Sequence, residues 1–152
     1  MAAAQTIAVG DVAPNFTLRD TEGQAFEFAT VVKAHRVTVL NFWATWCGPC
    51  IRELPEFDAV YRQLKGQGLA LLGVNAKEPL AKVLPFVRDL GLSFPMLPDP
   101  AGTVQAAYGA GPGLPVSLLI DGTGKVRQRL NGATTGGALL GRIKGLLAEP
   151  RL

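Results

Sequence analysis

Cys47 and Cys50 are the only cysteines in a 152-residue sequence, and they stand three apart in Trp46-Cys47-Gly48-Pro49-Cys50. If a helix begins at this point, the two side chains lie one turn apart on one face, close enough to close a disulfide and to cycle between dithiol and disulfide. Cys47 would then sit at the helix N-terminus, where unpaired backbone N–H groups and the positive end of the helix dipole stabilise a thiolate. A thiol in such a motif can titrate near about 7, against about 8.5 for a free cysteine, so an appreciable fraction is nucleophilic at neutral pH. Cys47 is therefore the expected nucleophile. Cys50, one turn inside the helix, would be shielded and would resolve a mixed disulfide by attacking the Cys47 sulfur. Pro49 suits the first turn, where its missing N–H loses nothing.

Three other chemistries use cysteines of this kind. A closed zinc site needs four ligands, and the chain offers two cysteines and one histidine, His35, so no metal is expected. A purely structural disulfide between neighbours three apart would remove little chain entropy and stabilise weakly. A peroxidase of the peroxiredoxin type needs a threonine or serine three residues before its cysteine, preceded by a proline, and Ala44 stands there instead. That peroxidase is the alternative enzyme; a non-catalytic binding module is the alternative outside enzymology.

The stretch Trp43-Ala44-Thr45-Trp46-Cys47-Gly48-Pro49-Cys50, with Glu53 and Pro55 following, resembles the active site of thioredoxin-like proteins. Within that superfamily it is most similar to the extracytoplasmic thiol-disulfide oxidoreductases, including those of cytochrome c maturation, a redoxin group related to the alkyl hydroperoxide reductases. The resemblance implies an α/β thioredoxin-like fold, a central mixed β-sheet flanked by helices, with an N-terminal β-hairpin extension and an inserted helix. It implies an enzyme that exchanges disulfides with protein substrates as a reductant, apocytochrome c among them, or that serves general thiol maintenance with an antioxidant effect. Gly48-Pro49 matches the reducing members.

The elements that must position these residues follow from periodicity. Residues 14–28 read as a hairpin: Phe16 and Leu18 alternate with polar residues, Asp20 to Gly23 turn, and Phe26 and Phe28 alternate on the return. The opening Gly10 to Phe16 is similar to that of the oxidoreductases and of the peroxiredoxins alike. Val37 to Phe42 is a nearly continuous apolar run, as in a strand buried on both faces, with Asn41 interrupting it. Thioredoxins hold a titratable aspartate at that place, and the related oxidoreductases resemble this chain in carrying Glu53 beyond the second cysteine. Glu53 is the third catalytic candidate; equally, it is a carboxylate that the start of a helix favours.

A helix over 49–65 buries Ile51, Leu54, Phe57, Tyr61 and Leu64, with a kink expected at Pro55. Gly66 and Gly68 end it, and 69–74 forms the next strand, so the cysteines stand at a strand's carboxyl end. Residues 79–90 give an amphipathic helix with Leu80, Val83, Leu84, Val87 and Leu90 inward, similar to the insertion of the extracytoplasmic group. A turn at 99–102, a short helix at 103–108, a strand at 116–120, a turn at 121–124, a strand at 125–130 and a closing helix at 135–148 complete the chain. Pro115, at the end of the Gly-rich loop 109–115, matches the proline that thioredoxin-like folds hold in cis opposite the cysteines. Read without that resemblance it is an ordinary loop or edge-strand proline. Trp46, Gly48, Pro49, Leu114 and Pro115 form the expected substrate groove. Trp43 and Met96 should pack inside, and His35 should lie on a surface loop.

With 48% hydrophobic residues, the chain is long enough to bury one core, so a single domain over 1–152 is expected, with 1–9 flexible and 10–148 the core. The net charge of +3 comes from scattered basic residues with no aromatics between them, which speaks against nucleic acid. No Gly-X-Gly-X-X-Gly follows a strand, so no organic cofactor is expected and electrons must come from an upstream donor protein. A monomer is expected. No stretch reaches the length of a membrane span. Ala2-Ala3-Ala4-Gln5 resembles the small-residue end of a signal or anchor segment, which favours an extracytoplasmic location over a cytoplasmic one.

Overall fold

A computed structural model describes residues 6–150, and the apolar run after residue 36 lies at its centre. In chain order the elements are β1 (Thr17–Arg19), β2 (Ala25–Glu27), α1 (Phe28–Ala34), β3 (Val37–Trp43), α2 (Gly48–Leu64), β4 (Leu69–Ala76), α3 (Leu80–Leu90), β5 (Met96–Asp99), α4 (Thr103–Tyr108), β6 (Val116–Asp121), β7 (Val126–Asn131) and α5 (Gly136–Leu147). The main sheet has the order β5-β4-β3-β6-β7. β3 pairs parallel with β4 and antiparallel with β6, so the sheet is mixed. β1 and β2 form a separate antiparallel hairpin.

Every residue of β3 and β4 is buried, because helices cover both faces of the sheet. The two-residue period divides the core. Val37, Val39 and Trp43 face the layer made by α2, α3 and α5, together with Leu54, Phe57 and Ile143. Leu40 and Phe42 face the other layer, with Phe28, Val32, Val104 and Tyr108. Asn41 shares the parity of Val39 and Trp43, so its amide points toward α2. This alternation brings a polar group in the central strand to the helix that carries the cysteines.

Several expectations need correction. The hairpin ends at Glu27, and Phe28 opens α1, a helix the alternation of Phe26 and Phe28 had concealed. His35 follows that helix half-buried, its Nδ1 2.7 Å from the Val31 carbonyl oxygen, rather than lying on an open loop. Residues 96–99, for which no strand was expected, form one parallel to β4, with Met96 buried as expected. Leu80 does not face inward: as the first residue of α3 it has no preceding turn to cover it and is 45% exposed. Part of the stretch 1–9, expected to be flexible, is packed. Ile7 is buried against Tyr108 and Ala110, and Arg129 donates to the carbonyls of Ile7, Tyr108 and Gly109. Ala2-Ala3-Ala4-Gln5 lies outside the described residues.

The N-terminal segment also borders the sheet. The Val126 N–H donates to the Asp11 carbonyl at one edge, and the Thr21 N–H donates to the Met96 carbonyl at the other.

Candidate active site

Cys47 is the N-cap of α2, in extended backbone conformation, and Gly48 and Pro49 are the first helical residues. The Cys50 N–H, an unpaired donor of the first turn, donates to Cys47 Sγ at 3.2 Å. The same donor would stabilise a thiolate on Cys47 after reduction. The two cysteines are joined in a disulfide, with Cα atoms 5.3 Å apart. Cys47 retains 4% exposure while Cys50 has none.

Glu53 lies one turn beyond Cys50 on the same buried face and is only 2% exposed. Asn41 Nδ2 donates to Glu53 Oε1 at 3.0 Å and to Ser117 Oγ at 2.9 Å, while the Thr134 N–H donates to Glu53 Oε2 at 2.8 Å. Burial pushes the Glu53 carboxyl up to about 7; the bonds from Thr134 and Asn41 oppose the rise and the neighbouring Glu56 adds to it. Asn41 Oδ1 finds no partner among the described residues. Beside this acid a cleft of about 290 Å3 opens, lined by Pro49, Arg52, Glu56, Ala133 and Thr134. The buried carboxyl of Glu53, on α2 one turn beyond Cys50, thus borders this cleft.

Trp46 is 65% exposed, with Gly48 and Pro49 exposed beside it on the helix start. Trp43 is fully buried, and its Nε1–H meets Met96 Sδ. The Leu114–Pro115 peptide is cis. Pro115 immediately precedes β6, whose Val116 pairs with Phe42, so this peptide stands at the carboxyl end of β3 beside the loop to the cysteines. Leu114 packs against the cluster that contains both cysteines. The Gly111–Pro112 peptide of the same loop is cis as well.

Sequence reasoning missed one group at this end of the sheet. Glu78, in the connection from β4 to α3, is 4% exposed and accepts from the Thr45 N–H at 2.7 Å, from the Thr45 hydroxyl, and from Asn75 Nδ2 at 3.0 Å. Lys82 Nζ lies 3.4 Å away. Burial alone would push this carboxyl up, but the bonds from Thr45, Asn75 and Lys82 together hold it below the usual carboxylate range. Its neighbours in sequence, Lys77 and Pro79, give no sign of a bond to a residue 33 positions earlier.

Residues 9–129 match the AhpC/TSA family. The thiol-disulfide oxidoreductase ResA of Geobacillus thermodenitrificans is 41% identical over 136 residues, a match covering 85% of this chain and 72% of that protein. Among solved structures, a Chlorobium tepidum protein provisionally described as the thiol:disulfide interchange protein DsbE superposes with a TM-score of 0.85 at 30% identity, covering 94% of this chain and 100% of that one. A secreted Mycobacterium tuberculosis disulfide oxidoreductase homologous to Escherichia coli DsbE superposes with a TM-score of 0.76 at 25% identity, covering 86% and 95%.

Proposed function

The chain belongs to the AhpC/TSA family and is a thiol-disulfide oxidoreductase, and from that premise we propose that it passes electrons from a donor protein to disulfides of protein substrates, apocytochrome c among them. The observation that carries this reading is the Cys47–Cys50 pair at the start of α2, with Cys50 wholly enclosed and Cys47 slightly exposed at the N-cap. In the reduced protein the Cys47 thiolate attacks a substrate disulfide. One Cys47–substrate S–S bond forms, the substrate S–S bond breaks, and the released substrate thiolate takes up a proton. Cys50 then loses its proton and attacks Cys47 Sγ, re-forming the Cys47–Cys50 bond and releasing the second substrate thiolate. Two electrons pass to the substrate, and the donor protein returns them to the pair.

Glu53 is the proposed acceptor of the Cys50 proton. A carboxyl poised near 7 both takes and returns a proton at neutral pH, which an ordinary surface glutamate would not do. Asn41, at the place where thioredoxins carry an acid, holds that carboxylate and does not titrate itself. Trp46, Gly48, Pro49, Leu114 and Pro115 are the proposed docking groove. The exposed Trp46 ring supplies its apolar surface, and the Leu114–Pro115 segment supplies backbone groups with which an extended polypeptide can pair. The similarity to a secreted oxidoreductase supports an extracytoplasmic location. Among the described residues no helix is long and apolar enough to cross a membrane.

Insulin disulfide reduction tests the reading. Cys47→Ser should abolish turnover, and Cys50→Ser should accumulate a mixed disulfide with the substrate; unchanged turnover in both variants would remove it. Equilibration with glutathione or dithiothreitol decides the direction. A potential below roughly −220 mV makes the protein a reductant, whereas one near about −120 mV makes it an oxidant.

A further inference from the structure

β3 ends at Trp43, so the Thr45 N–H has no ladder partner. The loop 44–47 carries both the exposed Trp46 ring and the nucleophile. Within itself the loop has one backbone bond, from the Cys47 N–H to the Ala44 carbonyl. Ala44 and Cys47 are packed in the core and Cys47 is tied to the start of α2, while Thr45 between them is held by the buried Glu78 carboxylate, which takes its N–H and hydroxyl together. Glu78 is in turn fixed from its own side by Asn75 at the end of β4 and by Lys82 on α3. Trp46, 65% exposed, has little packing of its own to hold it, so its position is set by the backbone on either side of it.

We propose that Glu78 is a positioning residue of disulfide exchange: it clasps the loop bearing Trp46 and Cys47 to the connection that leads into α3, so that a protein substrate meets a preset docking surface. The inference rests on the proposed exchange with protein disulfides and assigns to it a residue that touches neither sulfur. Charge-assisted bonds to a buried carboxylate are the strong kind, and removing their acceptor leaves the Thr45 N–H without a partner. The clasp also couples the docking surface to α3. The position of Trp46 then depends on a segment that contributes no reacting group.

The test compares two substrates of the full-length protein, insulin and the small disulfide 5,5′-dithiobis(2-nitrobenzoate). Glu78→Ala should lower kcat/KM for insulin by about tenfold or more, as misplacement of a docking element does, while leaving the rate with the small disulfide unchanged. Thr45→Val, which removes only the hydroxyl arm, should give a smaller loss of the same selectivity, and it serves if Glu78→Ala does not fold. The double variant should be no worse than Glu78→Ala, because both changes break one contact. Parallel losses with both substrates would reduce Glu78 to a structural role, and unchanged insulin turnover or additive losses would also overturn the proposal. Failure of the exchange reading is seen separately, in wild-type protein that reacts with the small disulfide but does not reduce insulin.

Discussion

Replacing Glu53 by glutamine removes a buried group whose proton is held well into neutral pH, and the consequence for stability follows from its surroundings. Burial moves its carboxyl from the ordinary value of 4.5 to about 7. At about 1.4 kcal/mol per pH unit, that displacement disfavours the ionised form in the folded protein by about 3 kcal/mol. Because the folded state binds the proton more tightly, the stability it confers is fully present below about 4.5. It is lost progressively as the pH rises toward about 7 and is gone above that. Wild-type protein should therefore weaken across this window, while Glu53→Gln should not. At pH 8 the variant should be the more stable by about 2 kcal/mol, the 3 reduced by one hydrogen bond that no longer fits. The amide can still accept from the Thr134 N–H, and the Asn41 amide, whose Oδ1 lacks a partner among the described residues, can turn to accept from the new NH2 group. Urea denaturation of the oxidised proteins from pH 4 to 8 measures the difference. If the two unfolding free energies run parallel with pH, Glu53 does not titrate in this window and its part in moving the Cys50 proton falls.

Three further expectations concern the site's supports. Trp46→Ala should raise KM for insulin severalfold while changing unfolding free energy by no more than about 0.5 kcal/mol, since the ring is largely in solvent. A Cβ at Gly73 would lie 2.5 Å from Met96 Sδ and 3.1 Å from the Phe94 ring, so Gly73→Ala should cost about 1–3 kcal/mol in urea denaturation. Arg129→Met leaves the carbonyls of Ile7, Tyr108 and Gly109 without their shared donor, and limited proteolysis should then cut faster before residue 10 or within 109–114.

What could be read from the sequence was what depends on neighbours in the chain. The cysteine spacing placed Cys47 and Cys50 on a helix start, and the apolar runs of β3 and β4 announced strands covered on both faces. Motif resemblance, rather than any local preference, supplied the cis peptide before Pro115. The failures have physical causes. α1 has no side-chain N-cap, and its first residue, Phe28, continues the alternation of the preceding strand, so nothing local marks the change of period. β5 is four residues long and contains Pro98, a poor strand former; it exists because β4 offers it a parallel partner. The network about Glu53 joins groups from β3, β6 and the loop before α5, and only the face on which Asn41 lies was foreseeable. The clasp of Glu78 on Thr45 links residues whose local sequences are silent about each other.

The N-terminal residues that border the sheet bear on how the molecule meets its own kind. An open strand edge offers unpaired N–H and carbonyl groups to any other chain, and a protein that must leave an indole in solvent already carries one adhesive surface. Here β7 is bordered by the segment around Asp11 and Val12, which bridges to Lys125. β5, at the opposite margin, is short, interrupted by Pro98, and met by the Thr21 N–H from the hairpin. Each margin is thus partly covered, which hinders edge-to-edge pairing between copies. The added front end thus covers part of each margin of the sheet, while Trp46 stays open at the start of α2.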